Sequence, residues 1–260
     1  MKDARRQELL GALRRCVAAA EGYDGQHRSG FPLPFGLPEI DRVLPGRGLA
    51  PGAIHEVSGG GVDVVHGAAA AIFCAGVLAR APGLVLWVSV RRDLFMPALA
   101  EAGLAVDRVI HVEAGDAKTV LLVMEEALRH KGLAGVVGEM DGRIALTASR
   151  RLQLAAESSG ALGLLLRRPR QGRDHALEPT AARTRWRVSA LPSGPALAWS
   201  PATPGLARAL WRLELLRAKG GDPRTFIVEA CDAQGRLSLP ADLADGSATQ
   251  DHSLVRAAAG

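Results

Sequence analysis

Three short apolar runs constrain this chain more than any other feature: "LVLWVSV" (84–90), "LAGVVGE" (133–139) and "LGLLLR" (162–167). A strand with one solvated face alternates apolar and polar side chains. These runs do not alternate, which marks central strands of a parallel sheet, buried on both faces. Helix patterns separate them. "LFMPALAEAG" is short and closed by Gly103, and the strand "VIHVE" (109–113) follows. "DAKTVLLVMEEALRHKG" (116–132) starts at Asp116 and ends at Lys131 and Gly132. "LTASRRLQLAAESSG" (146–160) offers Thr147 or Ser149 as a cap and turns Leu152, Ala155 and Ala156 inward. Such alternation predicts an α/β fold, a mostly parallel sheet with helices on both faces.

The pattern changes after Arg167. A polar stretch (168–183) leads into "TRWRVSAL", "ALWRLELLRA" and "RTFIVEAC", which carry no helix between them. They predict an antiparallel C-terminal extension of the sheet, with "KGGDPR" (219–224) as a hairpin turn. The chain therefore divides into an N-terminal amphipathic helix (1–20), a Gly/Pro-rich linker (21–36), the α/β domain (37–239) and an Ala/Asp/Ser-rich tail (240–260). In the first segment Leu9, Leu13, Cys16 and Val17 fall near helical spacing. That helix is expected to pack on its own domain or on a neighbouring subunit.

Several function classes fall away on composition. The cysteines, Cys16, Cys74 and Cys231, are far apart and odd in number, and the histidines are scattered. Neither a disulfide framework nor a metal site is expected. With no disulfide framework, a reducing cytoplasm is the expected location, and no apolar run reaches membrane-span length. The net charge of +5 is concentrated in residues 143–187. Arg168, Arg170, Arg173, Arg183, Arg185 and Arg187 lie there and are candidates for contact with DNA or an acidic partner. The alternative is that they pair with the protein's own carboxylates or a protein partner. Trp186 alternates with Arg185 and Arg187 and is expected in the core.

The chemistry-bearing corner is "HEVSGGGVDVVHGAAAAIF" (55–73), a strand, a glycine turn and a helix. Ser58, Gly59, Gly60, Gly61 and Gly67 make it look like a phosphate loop. Such a loop works through backbone N–H groups, a helix N-terminus and a lysine. Ala68 to Ala71 replace the lysine and the magnesium-binding hydroxyl, no lysine occurs between Lys2 and Lys118, and Asp63 adds a negative charge. Retained backbone geometry is the favoured reading over a nucleotide site, and no cofactor is expected.

The stretch "FGLPEIDRVLPGRGLAPGAIHEVSG", continued by the residues from Leu84 to Met140, resembles the RecA family over about residues 35–230. The resemblance implies a RecA-like core. It also places Arg92 where active relatives carry a carboxylate base, and Glu139 at the Walker B aspartate. Arginine accepts no proton at neutral pH. A catalytically inactive relative, not an enzyme, is expected.

Within that superfamily, "LPFGLPEIDRVLPGRGLAPGAIHEV", "SRRLQLAAESSGALGLLLR", "AARTRWRVSALPS" and "WRLELLRAKGGDPRTFIVE" resemble the ImuA-type mutagenesis proteins. The family implies a damage-inducible accessory protein in translesion synthesis. Its implied partners are an ImuB-type Y-family-like protein and, through the complex, an error-prone C-family polymerase, with RecA and DNA as further candidates. The helix 3–19 and the tail are the natural contact elements. Two other readings stay open: a SulA-like cell-division inhibitor, and a DNA-dependent ATPase with a non-standard site.

Overall fold

The computed structural model describes residue 11, residues 30–168, residues 178–197, residue 200 and residues 202–240. The strands are β1 (Ala53–Gly59), β2 (Leu84–Ser89), β3 (Val109–Glu113), β4 (Leu133–Met140), β5 (Leu162–Arg167), β6 (Thr184–Leu191), β7 (Leu210–Ala218) and β8 (Arg224–Glu229). The helices are α1 (Pro38–Asp41), α2 (Asp63–Ala79), α3 (Met96–Glu101), α4 (Ala117–Leu128) and α5 (Leu146–Ser159).

One eight-stranded sheet runs β3-β2-β4-β5-β1-β6-β7-β8. The apolar runs are central as expected: β4 is buried along its whole length between β2 and β5. The C-terminal extension is more mixed than its pattern implies. β6 joins β1 in parallel, with Glu56 opposite Arg185. Only β7 reverses, pairing antiparallel to both β6 and β8. The turn at 219–224 closes the β7–β8 hairpin as expected.

Two apolar cores cover the two faces. Alternate residues of each central strand feed them: Val85 and Trp87 face the α2 core, whereas Leu86 and Val88 face the core under α4 and α5. Helix α2 is alanine-rich because it packs close to the sheet; Ala70, Cys74 and Ala75 have no exposure. It starts at Asp63, two residues beyond the Gly59–Gly61 turn.

Local signals set some helix ends and not others. Asp116 caps α4 by accepting from the Thr119 amide at 2.8 Å, worth about 1 kcal/mol. The same helix stops at Leu128, short of Lys131. The N-cap of α5 is Ala145, which makes no side-chain cap bond, so neither Thr147 nor Ser149 caps it. Ser149 is buried and bonds Thr180 at 3.0 Å and the Ala181 amide at 2.9 Å. Tertiary partners have taken that hydroxyl from the cap.

The end of the expected linker belongs to the domain. Leu33 pairs with Leu49 through two 2.8 Å backbone bonds. Phe35 is buried, stacked on Phe73 with centroids 5.8 Å apart and tilted against Trp186 at 5.4 Å. Asp41 holds this turn by accepting from the Phe35 and Gly36 amides at 2.7 and 3.0 Å. The helix expected over 3–19 and the tail after Pro240 lie outside the described residues, Gly11 apart.

Candidate functional site

Strands β1, β2, β4 and β5 end on the same side of the sheet, where ligands bind in open α/β folds. The glycine turn after β1 lies there. Part of it is already engaged. The Gly60 amide donates to the Val188 carbonyl on β6 at 3.0 Å, and the Ala190 amide donates to His66 Nδ1 at 3.1 Å. Ser58 Oγ reaches the Trp186 carbonyl at 3.4 Å. A Cβ on Gly60 would meet Ser189 Oγ at 1.7 Å, and one on Gly59 would meet His66 Cβ at 3.0 Å. A Cβ on Gly61 would find His66 at 3.3 Å. These glycines let the turn lie flat on β6 and under His66.

The helix N-terminus has an anion of its own. Asp63, the first residue of α2, is buried. Arg168 grips it from Nε to Oδ1 at 2.9 Å and from Nη2 to Oδ2 at 3.0 Å. Arg91 donates to the same carboxylate. Burial pushes this carboxyl up, but the hydrogen bonds and charges of Arg168 and Arg91 outweigh it and hold it below the usual range. Arg168 also reaches Asp93 at 3.0 Å and Glu139 Oε1 at 2.5 Å. Glu139, buried on β4, accepts from Trp87 Nε1 at 3.0 Å. The guanidinium is held more firmly protonated than usual: burial opposes the charge, but the bond to Asp63 and the charge of Glu139 dominate.

Gly67 belongs to this cluster. A Cβ there would meet Asp63 Oδ1 at 2.3 Å and Arg168 Nε at 3.2 Å. Its role is close approach of an ion pair. A hollow of about 30 Å³ remains beside Val90, Arg91, Glu139 and Arg168. Ligand pockets span ~300–1,000 Å³, and this one has room for about one water. The Asp63 charge, read from sequence as a repellent for phosphate, is one half of a neutralised pair.

The other predicted residues are dispersed. Arg92 is exposed and pairs with Glu113 at 2.7 Å; its neighbours Arg91 and Asp93 reach the corner instead. Among the described residues, the arginines of this group do not form one basic surface. Arg168 is committed to three carboxylates. Arg185 is buried, donating to Glu56 at 2.7 Å and to the Glu178 carbonyl at 2.8 Å. Its surface role is corrected: β6 lies beside β1, which sets Arg185 against the buried Glu56 carboxylate, its side chain 4% exposed. Arg187 is half-buried and pairs with Glu214 at 3.7 Å. Arg183 is exposed. Arg170 and Arg173 lie outside the described residues. Trp186 is buried as expected. Arg151 pairs with Glu125 at 2.5 Å.

Arg91 and Asp93 belong to the corner although no motif in the sequence marks them. The available signal was "RRD" directly after a buried strand, three charges at the ligand end of the sheet.

Strand order defines a class: a RecA-like α/β core, here with the corner after β1 closed by ion pairs. The RadB recombinase has this fold, with a TM-score of 0.56 at 15% identity, covering 80% of this chain and 99% of that one. In sequence, the chain is 40% identical over 237 residues to Protein ImuA of Caulobacter vibrioides strain NA1000, covering 88% of this chain and 94% of the relative. The protein of strain ATCC 19089 matches equally. The chain belongs to the ImuA family. No family model matches it. Among the described residues, no helix is long and apolar enough to cross a membrane.

Proposed function

We propose that this chain is a non-hydrolysing RecA-like accessory protein in damage-induced, error-prone translesion synthesis. It acts beside an ImuB-type partner and, through that complex, a C-family polymerase. One observation carries the non-hydrolysing half: the Asp63–Arg168 pair stands at the helix N-terminus where a nucleotide phosphate would need to bind. An anion entering there meets Asp63, and displacing Arg168 leaves buried Glu139 without its cation and Asp63 with Arg91 alone, which is strongly unfavourable. The translesion half rests on family membership. A protein relieved of nucleotide chemistry retains its surfaces, and those serve to hold partners.

Two measurements test this. Hydrolysis of radiolabelled ATP by the purified chain, with and without single-stranded DNA, is expected to stay at the level of a no-protein control. Turnover that an Arg92→Ala variant alters would overturn the reading. Co-purification from DNA-damaged cells is expected to bring down the ImuB-type protein. Recovery of neither that protein nor the polymerase would remove the accessory role.

A further inference from the structure

A second concavity lies at the opposite end of the sheet, where β4 and β5 begin. It is a groove of about 280 Å³ whose walls include Phe31, Leu33, Leu49, Pro82, Leu133 and Leu162. Its polar side chains are few. Ser159 Oγ is committed to the Leu128 carbonyl at 2.5 Å, and Lys131 is exposed on the rim. A small-molecule site in this fold class lies at the other end of the strands and carries convergent polar groups. This groove has neither property, so its chemistry suits apolar side chains. Phe31, at its edge, is 74% exposed.

The groove lies where the described chain begins. The continuous described stretch begins at Gly30, and the next three residues form one wall of the groove. The preceding segment therefore leaves from the groove's rim. That segment carries the apolar positions Leu9, Leu13 and Val17. Gly11 within it is helical and only half-exposed. Residues 18–29 connect it to the rim; a chain of that length reaches up to about 40 Å, far enough to fold back. A tether this short gives an effective concentration of roughly millimolar, above any working concentration of a second copy.

We propose that the groove is the docking site of this chain's own residues 9–17, bound as an amphipathic helix through Leu9, Leu13 and Val17. The N-terminal helix is then a cover for the lower end of the sheet rather than a free contact arm. The test uses the full chain. An Ala134→Cys variant, oxidised mildly and mapped by peptide mass, is expected to join Cys16 to the new cysteine within monomers, unchanged on tenfold dilution. Leu9→Asp with Leu13→Asp is expected to abolish that cross-link and to raise the fluorescence of an apolar-surface dye, with the main melting transition kept. A cross-link confined to dimers would assign the groove to a second copy and overturn the proposal. Dye binding unchanged by the double substitution would overturn it as well, whatever the cross-link yields.

Discussion

Arg168 holds Asp63 through two parallel hydrogen bonds, at 2.9 and 3.0 Å. One residue opens the helix after β1; the other is the first residue beyond β5. Negative charge is favourable at a helix N-terminus, and bidentate Arg–carboxylate geometry is the strongest ion-pair form. The corner that would hold phosphate in a nucleotide-binding relative is thus satisfied from within.

Removing the cation should expose how much rests on it. Arg168→Ala leaves Asp63 and Glu139 buried with fewer partners, and the expected loss is about 3–5 kcal/mol. Urea unfolding measures it. The double variant with Asp63→Ala should lose clearly less than the sum of the two single changes. Strict additivity would mean that the pair contributes nothing.

Gly67 offers a steric version of the same question. Gly67→Ala pushes a methyl group into Asp63 Oδ1 and should destabilise by about 1–3 kcal/mol. Measured within an Asp63→Ala background, the same change should cost much less in thermal melts, because the clash disappears with the carboxylate. An equal cost in both backgrounds would place the strain elsewhere.

The arginines of β6 should separate by role. Arg185→Ala breaks a buried pair with Glu56, each side chain 4% exposed, and should cost about 3–5 kcal/mol. Arg183→Ala, at an exposed position, should change stability by about 0.5 kcal/mol or less. If Arg183 meets DNA phosphate, its variant should also flatten the salt dependence of single-strand affinity by about 0.7 log units per log of salt. Equal melting curves for the two variants would contradict the burial difference.

His55 makes stability depend on pH. It is fully buried between Thr184 Oγ1 at 2.7 Å and the Ala50 carbonyl at 3.0 Å. Burial lowers its pKa to about 4, against a partial offset from the Ala50 bond and a further lowering by Arg183. The unfolded chain takes up the proton near 6.5 and the folded chain near 4. His55 therefore contributes stability fully above pH 6.5, and about 3 kcal/mol of it is lost as pH falls to 4. Asp63, with its lowered pKa, adds a loss in the same direction below that window. Denaturation midpoints at pH 7.5 and 4.5 should fall further for the wild type than for His55→Gln; a parallel fall would exclude His55 as the source.

Both described cysteines should be inert in the native state. Burial raises the Cys74 thiol well above its usual value. It pushes Cys231 up to about 12, against the opposing charges of Arg80 and Arg208. Iodoacetamide at pH 8, read by mass spectrometry, should label neither before denaturant is added. Rapid native labelling of Cys231 would show that its site opens.

The sequence by itself determined the sheet. "LAGVVGE" and "LGLLLR" are apolar on both faces, and that is a local property that only a central strand satisfies. The lost lysine, the lost hydroxyl and the family resemblance were equally legible, because each is a residue type at a position. What closes the corner was not legible. Asp63 and Arg168 lie 105 positions apart, and the glycine at 67 looked like a phosphate-loop glycine because a close approach to phosphate and one to a carboxylate demand the same missing Cβ. Likewise "TRWRVSAL" reads as an alternating strand of an antiparallel extension. Only its insertion beside β1, with Glu56 opposite Arg185, turned a surface arginine into a buried one. Burial and pairing of charge are decided by neighbours far along the chain, so the tertiary structure alone could assign them.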